Sequence, residues 1–92
     1  MSAGWIITTD HVCEGDDNGV TGPSSYDGPT DATALPIKFR MYDDDGELYY
    51  EGRMNDGASE QFGLLDPLYA FGYGNAGCTR LDIFENGRWV TL

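Results

Sequence analysis

Apolar and polar residues alternate most regularly over residues 37–54. Ile37, Phe39, Met41, Leu48, Tyr50 and Met54 fall on one side of an extended chain, and Lys38, Arg40, Tyr42, Asp44, Glu47, Tyr49 and Glu51 on the other. The separation needs a reversal at Asp45-Gly46, a pair favoured in two-residue type I′ turns. That turn predicts Asp44 opposite Glu47, Asp43 opposite Leu48, Tyr42 opposite Tyr49, Met41 opposite Tyr50, Arg40 opposite Glu51 and Phe39 opposite Gly52. A slip of one residue would exchange the two faces, so burying one of them specifies the register. Asn86-Gly87 predicts a second type I′ hairpin, with Glu85 opposite Arg88, Phe84 opposite Trp89 and Ile83 opposite Val90. Leu81, Ile83, Val90 and Leu92 make its apolar face; the aromatic pair on the other face contributes up to ~1 kcal/mol.

The run Trp5-Ile6-Ile7-Thr8-Thr9-Asp10-His11-Val12 is β-branched and predicts a strand, with burial open to both its faces. Asp66-Pro67 has the form of an N-cap followed by proline at the first helical position. Leu68, Tyr69 and Phe71 then make one or two turns before Gly72 and Gly74 stop them. Residues 14–36 carry Gly15, Gly19, Gly22, Gly28, Pro23 and Pro29 without hydrophobic period and predict a long irregular acidic loop. The fold class is therefore α+β, mainly β: an antiparallel sheet of about five short strands, two type I′ hairpins and one or two short helices. At 92 residues it makes a single compact domain spanning 1–92.

Charge is more informative than size. Sixteen acidic and five basic residues give a net charge of −11. Residues 1–35 hold Asp10, Glu14, Asp16, Asp17, Asp27 and Asp31 and neither Lys nor Arg. Direct phosphate-backbone binding is excluded as the default, because nucleic acid is met by a basic footprint. Docking on an anionic membrane is disfavoured for the same reason. No apolar run approaches the ~20 residues of a spanning helix, and Met1-Ser2-Ala3-Gly4 has the look of neither half of a secretory signal. The expected location is cytoplasmic, where Cys13 and Cys78 stay free thiols; the alternative is a disulfide between them, which would close a long loop in a small chain.

No catalytic residue is expected. The single histidine, His11, together with Ser24, Ser25, Cys13 and Cys78, forms no nucleophile–base signature. Nor is a metal or other cofactor expected: His11 is too isolated for zinc. Glu14-Gly15-Asp16-Asp17-Asn18-Gly19 resembles the start of a calcium loop, but its twelfth position is Ser25 where a bidentate glutamate is needed. Calcium should bind no tighter than roughly 10⁻³ M.

The hairpin tip carries the candidate chemistry. Asp43, Asp44, Asp45 and Glu47 place four carboxylates within five residues, and Glu51 follows on the same polar face. An Asp44–Glu47 opposition would cost stability in the free sheet; it either guards the sheet against edge pairing or is relieved in a partner's basic groove. Glu14, Asp16 and Asp17 form a second acidic cluster. Duplex DNA carries one charge per ~1.7 Å, so eleven net charges correspond to ~19 Å of duplex. The expected function is a non-enzymatic acidic binding protein that mimics double-stranded DNA and occupies the basic channel of a nucleic-acid-binding protein or complex. The alternative is a small protein-interaction or weak metal-binding domain of a phage or bacterial mobile element.

Four strings are spread along the chain from Trp5 to Trp89: Trp5-Ile6-Ile7-Thr8-Thr9-Asp10-His11, the run from Phe39-Arg40-Met41-Tyr42 through Asp43-Asp44-Asp45-Gly46-Glu47 to Leu48-Tyr49-Tyr50-Glu51-Gly52-Arg53, Asn75-Ala76-Gly77-Cys78-Thr79, and Glu85-Asn86-Gly87-Arg88-Trp89. In these the chain resembles a group of small uncharacterised bacterial and phage proteins, which implies a shared fold and no particular activity. In size and acidity it is also similar to phage-encoded anti-CRISPR proteins that mimic double-stranded DNA, the type I-C kind among them. That likeness implies inhibition of a CRISPR surveillance complex and assigns no residue a role.

Overall fold

The computed structural model describes residues 4–23, 26, 28–56 and 63–92. Met1, Ser2, Ala3, Ser24, Ser25 and Asp27, which enter the readings of the N-terminus, the calcium loop and the acidic loop, lie outside the described residues. Six strands form one sheet: β1 (Trp5–Asp10), β2 (Thr21–Gly22), β3 (Ile37–Tyr42), β4 (Leu48–Met54), β5 (Arg80–Glu85) and β6 (Arg88–Thr91). Their order across the sheet is β2-β1-β4-β3-β5-β6, and every neighbouring pair is antiparallel. The fold is α+β and mainly β, as the alternation predicts. The strand beyond the expected five is β2, which arises inside the loop 14–36. Backbone bonds from Ile7 N–H to Val20 O (2.8 Å) and from Gly19 N–H to Ile7 O (2.7 Å) fold that loop back along β1.

Burial is one-sided. Trp5 and Ile7 of β1, Phe39 and Met41 of β3, Tyr50 and Met54 of β4, and Leu81 and Ile83 of β5 join Leu68 and Cys78 in a single core cluster. A helical stretch over residues 63–76 covers this face: a 3₁₀ turn Gly63–Leu65, a π-helical turn Leu68–Gly72 and a last α-turn Tyr73–Ala76. Phe71 stands edge-on to Tyr50 at 4.9 Å between ring centroids and tilts against Trp5 at 5.8 Å.

Three local features differ from the sequence expectation. Gly72 and Gly74 do not stop the helical stretch. Gly77, left-handed at φ 74°, ends it by donating to Tyr73 O. Gly72 is needed instead for close packing, since a Cβ there would stand 2.7 Å from the Met41 sulfur. Asp66 makes no N-cap bond; its carboxylate accepts from the buried Trp5 indole N–H at 2.7 Å, 61 residues away. The strand from Trp5 ends at Asp10, two residues short of the predicted run, because the Asp10 carboxylate turns the chain by accepting from Val12 and Cys13 N–H.

The hairpins divide. Asn86 and Gly87 both have positive φ, 54° and 80°, as a type I′ turn demands. β5 and β6 then pair in the predicted register, with Phe84 and Trp89 edge-on at 5.3 Å. In the first hairpin the predicted partners hold from Phe39–Gly52 to Met41–Tyr50. At the tip, however, only Gly46 is left-handed (φ 81°). Gly46 N–H donates to Asp43 O and Asp43 N–H to Glu47 O, both at 3.1 Å. This is a three-residue loop with a glycine bulge. The Asp43 carboxylate selects it, accepting from the N–H groups of Asp45 (2.9 Å) and Glu47 (2.8 Å). The shifted register pairs Tyr42 with Leu48, and Tyr49 packs against the core in the place expected of Leu48. Asp44 therefore does not face Glu47, and the strain inferred from that opposition is absent.

Candidate functional site

Both acidic clusters sit at one end of the sheet, and the strand pairing puts them there. The final residue of β1, Asp10, is opposite Tyr50 near the start of β4, and His11 N–H continues the ladder to Tyr49 O at 2.9 Å. The loop after β1 thus leaves the sheet at the end where residues 43–47 join β3 to β4. Glu14, Asp16, Asp44, Asp45 and Glu47 are exposed there, with Asp17 and Asp43 half-buried.

The loop after β1 is built around Asp10. Its carboxylate accepts from the N–H groups of Val12 (2.8 Å), Cys13 (3.0 Å) and Asp17 (3.1 Å). The Asp10 N–H in turn donates to the Asn18 side-chain oxygen at 2.7 Å. Burial pushes the Asp10 carboxyl up, but the N–H donors of Cys13, Val12 and Asp17 together outweigh it and hold the group below its ordinary 3.8. A lowered folded value means that stability is fully present above pH 3.8 and is lost as pH falls through the folded value. Asp10→Asn keeps an oxygen for Val12 and Cys13 but turns an amide toward the Asp17 N–H. It should cost ~2 kcal/mol at neutral pH, and the acid end of its unfolding profile should be shallower than that of the wild type. Chemical denaturation at a series of pH values measures both.

One group of side chains among the described residues could share a metal ion: ligand atoms of Asp10, Cys13 and Asp17 lie within 4.8 Å of one another. The Asp10 oxygens are already engaged by backbone donors. Desolvation and the carboxylates of Asp10, Asp17 and Asp16 push the Cys13 thiol up, against the thiolate a metal requires. Cys78 is also free, and burial pushes it up to about 11.

At the tip, the Glu47 N–H, the Tyr49 hydroxyl and the Asp45 and Gly46 N–H groups keep the Asp43 carboxyl below its ordinary value despite some desolvation. Asp43 is therefore a turn-forming residue, while Asp44, Asp45 and Glu47 have no ion-pair partner among the described residues.

Glu51 is elsewhere. It lies on the sheet face opposite the core, bridging His11 Nε2 (2.9 Å) and Arg40 Nε (3.1 Å). The His11 bond lowers its carboxyl most, burial opposes this, and Arg40 adds to the lowering. The same face carries Arg80 beside Asp82 at 3.2 Å and the Thr91 hydroxyl donating to Asp82 at 2.7 Å. Cations lie over rings along it: Arg40 over Trp89 and Arg80 over Tyr42, both at 4.1 Å, and Lys38 near Phe84 at 5.8 Å. Four of the five basic residues, Lys38, Arg40, Arg53 and Arg80, are gathered on this one face. The alternation of Lys38, Arg40 and Tyr42 was the signal for part of it. The neighbourhood of β5, which completes it, has no signature in local sequence.

Comparison of the chain with protein-family models, with curated proteins and with solved structures found no match.

Proposed function

We propose that the chain is a non-enzymatic acidic binding protein that mimics double-stranded DNA and occupies the basic channel of a nucleic-acid-binding partner, such as a CRISPR surveillance complex. The observation that supports this reading is the segregation of charge. Two acid-rich loops leave the sheet at one end, whereas most of the basic residues lie on the open sheet face. Glu14, Asp16, Asp17, Asp43, Asp44, Asp45 and Glu47 match the charge of ~12 Å of duplex, on a molecule whose narrowest extent is 22 Å. Arg80, at the start of β5 beside Tyr42, is held by Asp82 and does not neutralise them. Competition is the mechanism: carboxylates take the lysine and arginine contacts that phosphates would make, and the DNA is kept out. Retention of lysate proteins on the immobilised chain at low salt tests it. Proteins released by duplex DNA and by added salt are the expected result. Retention that duplex DNA does not disturb overturns the mimicry.

A further inference from the structure

Lys38 and Arg53 are direct partners across β3 and β4. Two like charges therefore stand side by side on the open face, which costs stability in a sheet with nothing between them. Among the described residues neither forms an ion pair, and the nearby carboxylates are committed: Glu51 to His11 and Arg40, Asp82 to Arg80 and Thr91. With four basic residues against two carboxylates, this face has a net charge of +2, centred on Lys38 and Arg53, in a chain whose total is −11. The two residues line a concavity of about 240 Å³ with Thr8, Phe39, Arg40, Gly52, Trp89 and Glu51, whose carboxylate is the one held by His11 and Arg40.

We infer that this concavity binds a small phosphate monoester, its dianionic phosphate bridging Lys38 and Arg53 and its organic group lying against Trp89. Two facing cations ask for two negative charges. An arginine fork meets two phosphate oxygens at once, and a lysine ammonium supplies a point charge beside it. The volume is below the ~300 Å³ at which drug-sized sites begin, so the site holds a phosphate and about one ring. The Trp89 indole, which carries the Arg40 guanidinium over its ring at 4.1 Å, lines the same concavity and supplies the apolar contact for that group. The site is separate from the acidic end and independent of the mimicry reading.

Titration with phenyl phosphate and with inorganic phosphate, followed by the two indole N–H signals in ¹H–¹⁵N spectra, tests it. The Trp89 signal should move and saturate, while that of Trp5, buried against Asp66 under the other face, should stay in place. Phenyl phosphate should bind more tightly than inorganic phosphate. Lys38→Gln and Arg53→Gln should each weaken it by about tenfold or more. Both variants should melt no lower than wild type, since each removes one of the opposed charges. Arg88→Gln, on the other side of β6 from Trp89, should bind like wild type. An unmoved Trp89 signal, or affinity retained in both glutamine variants, overturns the site. Equal affinity for the two probes overturns the ester and leaves inorganic phosphate as the ligand. Self-association that Lys38→Gln abolishes, with no effect of phosphate, assigns the pair to a second copy of the chain and overturns it as well.

Discussion

Gly52→Ala is expected to cost about 3 kcal/mol, lowering the melting temperature by on the order of 15 °C in a domain of this size. A Cβ at position 52 would stand 2.3 Å from the backbone oxygen of Ile6 and 2.4 Å from Phe39 Cζ. The first atom belongs to β1, directly beside β4, and can retreat only if the two strands part. The second belongs to a ring with no exposed surface, which fills the space over Gly52 because the two residues are register partners. Phe39→Leu removes the ring contact and leaves the carbonyl contact. In the double variant it should therefore recover part of the alanine cost, not all of it, and the two changes should be non-additive. Gly74→Ala is the contrast. Beyond its chain neighbours and the backbone of its own helical turn, no atom lies within 4 Å of its Cβ position, so alanine there should be neutral or stabilising by up to ~1 kcal/mol. Equilibrium denaturation of the variants measures these differences. A loss below ~1 kcal/mol at Gly52 would show that the sheet yields there without cost.

The triple variant Asp44→Asn, Asp45→Asn, Glu47→Gln should keep the fold and weaken partner binding by about tenfold at low salt. That figure takes a few tenths to one kcal/mol for each exposed charge facing a basic groove. Such charges lie at the rim, so slower association should account for most of the loss, and the salt dependence of binding should flatten with it. Asp43 is left out of the variant for a structural reason. Its carboxylate holds the N–H groups of Asp45 and Glu47, so Asp43→Ala should loosen the turn and confound a binding measurement with a folding one. Adding Glu14→Gln and Asp16→Asn should weaken binding further, because both are exposed at the same end of the sheet. Circular dichroism establishes the fold of each variant, and binding kinetics at two salt concentrations read the effect. Unchanged association at both concentrations would return these carboxylates to solubility alone.

What could be read from sequence is what depends on neighbours along the chain. The period-two alternation of Phe39, Met41, Tyr50 and Met54 set both the buried face and the register of β3 against β4, because a slipped strand would bury Lys38 and Arg40. Asn86-Gly87 specified its turn through two residues that tolerate positive φ. Asp45-Gly46 has the same local preference but a different outcome, since the Asp43 carboxylate reached two backbone N–H groups that a two-residue turn would not have offered it together. The acidic clusters were legible as clusters; their meeting at one end was not, because it follows from β1 pairing with β4 across some forty residues of chain. Glu51 and Asp66 show the same limit for single side chains. The hairpin register already set Arg40 opposite Glu51, but only the folded chain brings His11 to that carboxylate and the Trp5 indole to Asp66. Periodicity and turn preference act between adjacent residues and survive in the unfolded chain. The partner of a charge and the neighbour of a strand are decided when distant segments are buried together, where an unpaired polar group is costly and sequence distance no longer counts.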